Sequence, residues 1–304
     1  MHEAADVSIV IVTWNSEDEI GECIGSVIEN TSGISYEIIV VDNNSSDKTT
    51  EIVKSFDAKI PGKLRIISNS GNTGFTKGCN TGITASAGKN ILLLNPDTKI
   101  SGNALKVLID KIGLDEKAGA IAPQLLNKDG SIQSSCRTFP TYFDMFCELS
   151  LLSAVFPKSK VFSKWKMNYF DHDREEIVDQ PMAAALLVRK NLMTDVNNFD
   201  ERYSMFFNDV DLCKKIYGKG YDILFYPMAK IFHSKGVSIY KDRARMINIW
   251  NNDCLSYFKK YNYNLFLYSW LSVSLKLSGY FRIFLYKLKN EGSSRPVNMC
   301  NWRS

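Results

Sequence analysis

Paired cysteines, a long uncharged apolar run, a strong excess of one charge and a working phosphate loop are all missing from this 304-residue chain. Its seven cysteines (Cys23, Cys79, Cys136, Cys147, Cys213, Cys254, Cys300) are odd in number, scattered, and form no Cys-x-x-Cys pair. Neither a disulfide framework nor a zinc ribbon is expected, and a reducing compartment fits. The most apolar segment, Leu265 to Leu288, is interrupted by Lys276 and Arg282. A membrane span needs about 20 apolar residues without central charge, so an interfacial helix is expected, or one packed on the rest of the protein. A net charge of +4 gives no support for nucleic-acid binding by the whole chain. No basic stretch followed by an apolar run and a cleavage site is visible at Met1, so a cytoplasmic protein is expected. Gly71-Asn72-Thr73-Gly74 through Gly78 lacks the Gly-x-Gly-x-x-Gly order and follows the third strand, not the first. Gly82 and Gly88-Lys89 are one residue too far apart for a P-loop, and Asn90 stands where Ser or Thr should hold magnesium. A dinucleotide dehydrogenase and a P-loop nucleotidase are therefore excluded.

What is present is an alternation. Val7 to Thr13 is a β-branched run of the kind a strand buried on both faces requires, followed by a helical segment from Glu17 to Glu29. Ile38 to Val41 reads as a second strand ending in Asp42-Asn43-Asn44-Ser45-Ser46-Asp47, a cluster able to cap the next helix. Leu64 to Ile67, a helix after Asn72, Ile91 to Leu94 and a helix from Gly102 to Ile112 continue the pattern. Such alternation predicts an α/β fold with a doubly wound, mostly parallel sheet. Ligands of such sheets sit beyond the carboxyl ends of the strands, where Thr13, Asp42, Asn69 to Gly74 and Asn95 to Asp97 all fall. After Pro123 the rhythm breaks. Ser134 to Asp179 is aromatic without a period and reads as an irregular acceptor-side region, or as a peripheral packing element. Met182 to Val188 restores a strand, Asp209 to Gly218 reads as a helix ended by glycine, and beyond Tyr240 the chain is helical and locally basic between Arg243 and Arg303.

Five ordered motifs then stand out: Val10-Ile11-Val12-Thr13-Trp14-Asn15, Val40 through Asp47, Asn72-x-Gly74-Phe75, Asn95-Pro96-Asp97-Thr98, and Phe199 through His233, with Asn208-Asp209-Val210-Asp211 inside it. On these the chain resembles the family 2 glycosyltransferases, and most of all their bacterial rhamnosyltransferase branch, from Val7 to Ser238. The resemblance implies a GT-A fold: a catalytic domain over 1–238, with a nucleotide-binding half (1–123) and an acceptor half (124–238), then a helical, membrane-associating extension over 239–304. It implies inversion at the anomeric carbon of a nucleotide sugar with a divalent cation, Mg2+ or Mn2+. Thr13, Asn15 and Asp42 match positions around the nucleotide base, and Asn72, Gly74 and Asn80 match the loop and helix facing the nucleotide. Asn95-Pro96-Asp97 replaces the usual Asp-x-Asp motif, so Asn95 stays a donor contact and Asp97 becomes the main carboxylate on the metal. His233 matches the histidine completing that coordination. Asp209 matches the aspartate that deprotonates the acceptor.

Each residue also has a plainer reading: a helix cap for Asp42, a turn after proline for Asp97, a buried structural imidazole for His233, and a first-turn acid favouring the helix dipole for Asp211. Asp211 competes with Asp209 as base, and with Asn208 it is a candidate for acceptor contact or support. The chain departs from the family at Asn208, where Glu normally stands; losing that charge is expected to lower the pKa of Asp209. Asn197-Asn198 and Ala183 stand where glycine is common in the branch. The expected activity is transfer of L-rhamnose from dTDP-rhamnose, or failing that of a sugar from a UDP-sugar. The expected acceptor is a lipid-linked saccharide of bacterial surface polysaccharide synthesis, met at the inner face of the cell membrane through the C-terminal helices. The rivals are a nucleotide-sugar-binding scaffold without catalysis, suggested by Asn208, and a nucleotidyltransferase. The latter should carry a basic glycine-rich loop where Thr13-Trp14-Asn15 stands.

Overall fold

The computed structural model describes residues 4–234 and 243–291. Strand β1 (Val7–Thr13) is buried along its whole length, which is why it needs no polar alternation. Helix α1 (Ile20–Asn30) starts later than its acidic lead-in suggests, because Glu17 is drawn off to accept from the Lys48 amide while the Ser16 carbonyl takes the amides of Glu19 and Ile20. Strand β2 (Tyr36–Asp42) pairs parallel with β1, and α2 (Thr49–Ser55) follows, its first turn held by Asp47, which accepts from the Thr49 amide and hydroxyl. Strand β3 (Leu64–Ser68), α3 (Phe75–Ala85), β4 (Asn90–Leu94), β5 (Thr98–Ile100) and α4 (Ala104–Leu114) complete the first half.

Strand β6 (Ala118–Leu126) does not stop at Pro123 as expected; it runs through, because its parallel partner shifts register between Tyr226 and Lys230, around Pro227. Pro123 pairs with Tyr226 and Pro227 falls in the bulge that follows, so neither residue lacking an N–H breaks the ladder. The aperiodic stretch that follows holds only short elements: β7 (Cys136–Arg137), α5 (Tyr142–Leu149), α6 (Leu152–Val155), β8 (Glu176–Ile177) and β9 (Gln180–Pro181). Then come β10 (Ala185–Arg189), α7 (Lys190–Asp195), α8 (Asn208–Gly218), β11 (Asp222–His233), α9 (Arg243–Tyr261) and α10 (Leu265–Glu291).

The main sheet has nine strands in the order β3-β2-β1-β4-β10-β6-β11-β5, with β8 beside β11. Strands β1 to β4 are parallel, β6 and β11 are parallel to each other, and β10 is antiparallel to both of its neighbours, β4 and β6. The sheet is thus mostly parallel, and helices cover both faces. Alternate residues of β1 supply the two cores: Ile9 and Ile11 face α1 and α4, while Val10 and Val12 face α3, α7 and α8. The glycines that looked like a broken phosphate loop have a packing role here. A Cβ on Gly78 would lie 2.6 Å from Val12, and one on Gly82 would lie 2.4 Å from Val10, so α3 rests directly on β1. The described cysteines are buried and free.

A third core joins the two halves of the chain. Met145 of α5, Tyr203, Phe207 and Val210 pack with Cys254, Tyr257 and Phe258 of α9 and Leu271 and Leu275 of α10. The expected boundary between 238 and 239 falls outside the described residues, but α9 itself is built into the body of the protein.

The α3–β1 contact makes a stability test. Gly82→Ala should cost about 1–3 kcal/mol through overpacking, whereas Gly113→Ala in α4, with open space around it, should gain up to about 1 kcal/mol of helix propensity; denaturant midpoints of the two variants check the contrast.

Candidate active site

The carboxyl ends of β1 to β4 meet at one edge, as a parallel sheet dictates. Thr13 ends β1 with its hydroxyl buried and without a partner. Asp42 ends β2; its carboxylate accepts from the amide and hydroxyl of Ser45, and Ser45 Oγ accepts from the Asn15 amide. Asn15 adopts the left-handed region at φ 50° and its Oδ1 takes the Ser46 amide at 2.8 Å. Asp42 therefore tightens the loop and does not cap α2, a role that Asp47 fills. Asn72 accepts from the amide of Gly74, whose φ of 88° suits glycine and whose carbonyl takes the Asn43 side chain. Asn80 behaves differently from expectation. Its amide group exchanges hydrogen bonds with both backbone groups of Phe199 at 3.0 Å and reaches Glu201, so the side chain clamps the 199–201 segment instead of facing the nucleotide loops.

The second cluster lies after β4. The Asn95 amide donates to the Ala184 carbonyl at 2.9 Å, Thr98 Oγ1 donates to the Asn95 carbonyl, and the Asp97 carbonyl takes the Ser234 amide. Antiparallel pairing of Thr98 with His233 then sets His233 Nε2 3.5 Å from Asp97 Oδ1. His233 Nδ1 lies 2.8 Å from Gln133 Oε1. Gln133 donates its own Nε2 to Asn127 and to the His233 carbonyl, so Oε1 can only accept. The proton must sit on Nδ1, leaving the Nε2 lone pair on the side of Asp97. One carboxylate and one imidazole nitrogen suit a hard or borderline divalent cation. Among the described residues no third carboxylate, imidazole or thiol joins them.

Asp209 stands in the first turn of α8, behind Phe207, which takes a left-handed φ of 58°. That conformation costs a bulky residue about 1–2 kcal/mol, and packing on Trp250 and Tyr257 of α9 holds it there. Asn208 is buried; its Nδ2 donates to Thr76 at 2.9 Å and its Oδ1 takes the Asp209 amide at 2.7 Å. Asp209 Oδ2 accepts from Gln180 Nε2 at 3.0 Å, Oδ1 takes the Val210 amide at 2.8 Å, and the Ala183 amide acts on the carboxylate electrostatically. Burial pushes the Asp209 carboxyl above its ordinary pKa, against the opposing pull of those amides and of Arg137. The direction is thus opposite to the lowering expected from Asn208 alone, because desolvation outweighs the missing neighbouring charge.

Asp211 is fully buried but turns to the other side. It takes Lys260 and, at 2.7 Å, the Tyr261 hydroxyl, both from α9, with Lys215 3.6 Å away. It ties α9 to α8 and does not share the surroundings of Asp209. Asn197 and Asn198 both sit at left-handed φ, 56° and 49°, a region that asparagine tolerates better than most residues and glycine enters freely. Successive residues border the two clusters: the Ala183 amide lowers the Asp209 pKa, and the Ala184 carbonyl accepts from Asn95.

The sequence model of glycosyl transferase family 2 matches residues 8–156. The chain carries a family 2 glycosyltransferase domain. It is 25% identical over 251 residues to the N-acetylglucosaminyl-diphospho-decaprenol L-rhamnosyltransferase of Mycobacterium tuberculosis, covering 78% of each chain. Among solved structures, S. aureus TarS 1-349 in complex with UDP-GlcNAc superposes with a TM-score of 0.54 at 16% identity, over 91% of this chain and 73% of that one. GalNAc-T7 with UDP, GalNAc and Mn2+ gives 0.58 at 14%, over 84% and 48%. These likenesses establish the GT-A fold, and the glycosyltransferase assignment follows from the family.

Sequence reasoning missed the glycosyltransferase's supporting residues. Gln133, Arg137 and Gln180 lie in or beside two-residue strands, too short to show a period, and the one visible signal was a polar run from Gln133 to Arg137 before Phe139-Pro140. Asp253 was missed as well: it takes the amides of Ser204, Met205 and Phe206, which lead into Asn208-Asp209. Asp253→Ala should cost about 2 kcal/mol in a chemical denaturation curve and lower turnover at the same time, since the freed loop carries the start of α8.

Proposed function

We propose that this glycosyltransferase is inverting and metal-dependent, with Asp209 as the base that receives the acceptor hydroxyl proton. What supports this reading is that neighbouring residues border both clusters: the Ala184 carbonyl takes the amide of Asn95, two residues before Asp97, and the Ala183 backbone pulls on the Asp209 carboxylate. Thr13, Asn15, Asp42, Asn72 and Gly74 form the nucleotide end, with the unpartnered Thr13 hydroxyl and the loop-braced Asp42 available to the base. Asp97 and His233 would hold Mg2+ or Mn2+, and Asn95 would contact the donor. A divalent cation supplies charge neutralisation for the departing nucleoside diphosphate. On the opposite side the raised pKa of Asp209 improves its match to a hydroxyl proton, and Gln180 with the Val210 amide fixes the carboxylate in place. Asn208 takes no proton; it anchors the start of α8 to Thr76. The scaffold alternative rested on Asn208, and this anchoring gives that residue a use compatible with turnover.

The mycobacterial relative is named for rhamnosyl transfer to a diphospho-decaprenol-linked sugar. L-rhamnose from dTDP-rhamnose onto a lipid-linked saccharide is accordingly the first reaction to test, with UDP-sugars next. No helix of the described residues is long and apolar enough to cross a membrane. Helix α10 nonetheless exposes Phe266 (84%), Leu277, Tyr280, Phe281 and Phe284, a face that suits peripheral contact with the inner side of a bacterial membrane.

A screen of nucleotide release from dTDP-, UDP- and GDP-sugars, with and without Mg2+ or Mn2+, tests the reaction; silence with every donor and lipid-linked acceptor would refute it. Asp209→Asn should lower kcat by about 10²–10⁴-fold while donor affinity by calorimetry stays unchanged. The base acts only when deprotonated, so activity should fall as pH drops through the Asp209 pKa. Because burial raises that value, the acid limb of kcat/KM should lie above the ordinary carboxylate range. Gln133→Leu should release the His233 tautomer and weaken metal activation by about 10–100-fold, read from a metal titration of the rate.

A further inference from the structure

We propose that Arg137 forms a second anion site in this protein, one that takes the sugar-linked phosphate of a lipid-diphosphate acceptor while the acceptor sugar lies against Asp209. The proposal rests on the reading of Asp209 as the acceptor-side base. Its evidence begins with register: Arg137 of β7 stands directly opposite Gln180 of β9 in an antiparallel pair, so their side chains share a face. Gln180 in turn holds Asp209. The Arg137 guanidinium lies over the ring of Trp165, 5.3 Å from its centroid. Among the described residues it makes no hydrogen bond and no ion pair within 4.0 Å. Burial pulls its pKa down, and the charges of Asp209 and Glu148 oppose that pull at a distance. An arginine stays protonated even so, and because the Arg137 side chain is only partly screened from solvent its open donors can reach an anion entering from outside.

The surroundings are also unfilled. Ser135 Oγ, Trp165 Nε1 and Gln180 Oε1 are buried polar atoms without partners, on residues that flank Arg137 in the extended run, stack on it, or face it across the ribbon. Two of these can donate, and the planar fork of arginine matches phosphate oxygens two at a time. The third, Gln180 Oε1, is an acceptor beside Asp209 and suits a sugar hydroxyl. In a sugar diphosphate one ring separates the reacting hydroxyl from the anomeric phosphate, and here Gln180 separates Asp209 from Arg137. Beyond Arg137 the chain turns at Pro140 into α5, where Phe143 and Phe146 are 49% and 45% exposed and Phe146 meets Trp270 of α10 at 6.3 Å. Those rings offer an exit for a hydrocarbon tail towards the exposed face of α10.

The test uses geranyl diphosphate as the probe, titrated calorimetrically into the full chain in chelator with saturating UDP, so that the donor site is occupied. Wild type should bind it, Arg137→Gln should weaken binding by about 10–100-fold, and Arg137→Lys, which keeps the charge and controls for folding, should lose less. Inorganic pyrophosphate should bind more weakly than the prenyl compound yet show the same dependence on Arg137, and UDP affinity should not move in any variant. In turnover, Arg137→Gln should raise KM for a GlcNAc-diphosphate-lipid acceptor and leave a neutral alkyl GlcNAc glycoside unaffected. Equal binding by wild type and Arg137→Gln, no binding by wild type, or equal losses for charged and neutral acceptors would overturn the site. Binding that depends on Arg137 without sugar transfer to any lipid-linked acceptor would support this site and refute the reaction proposed above.

Discussion

The antiparallel insertion of β10 between β4 and β6 is the constraint on which the rest of the site depends. A purely parallel sheet would carry the Asn95 loop and the start of α8 on separate connections with nothing to set their distance. Because β10 runs the other way, its entry residues Ala183 and Ala184 arrive at the carboxyl edge. There the Ala183 amide pulls on the Asp209 carboxylate and the Ala184 carbonyl accepts from Asn95. Small side chains are needed at that point, since two backbones and a carboxylate converge on it.

The two candidate carboxylates of α8 show how burial and direction assign different jobs to neighbouring acids. Residues two apart on a helix point about 200° away from each other, so Asp209 looks to Gln180 and Ala183 while Asp211 looks to α9. Each carboxylate is desolvated, but only Asp211 meets a cation at contact distance. Asp209 keeps neutral donors around it and a cation further off, which leaves it ionisable and open to exchange a proton.

Much of this was legible in the chain, for identifiable reasons. Strands β1, β2 and β4 were readable because burial on both faces demands unbroken apolar runs, and the loops at their ends followed from the topology of parallel sheets. The proximity of Asp97 to His233 was not readable from local pattern, since it depends on the β5–β11 register, and it came only through the family resemblance. The commitment of Asn80 to Phe199 and the passage of β6 through Pro123 also escaped, because each is decided by a partner distant in sequence. Asp209 and Asp211 share a charge and a helix turn, so only the arrival of α9 tells them apart.

Helix α9 is made last among the elements that shape the surroundings of Asp209. Until it docks, Asp211 has only Lys215 of its own helix as counter-charge, the 204–206 amides lack their acceptor, and nothing from α9 braces the left-handed turn at Phe207. During synthesis on the ribosome the first strands of the sheet can assemble early, but the start of α8 stays unbraced until α9 has emerged. Vectorial translation thereby orders the assembly: the strands β1 to β4 are available to pair before the turn at Phe207 has its brace.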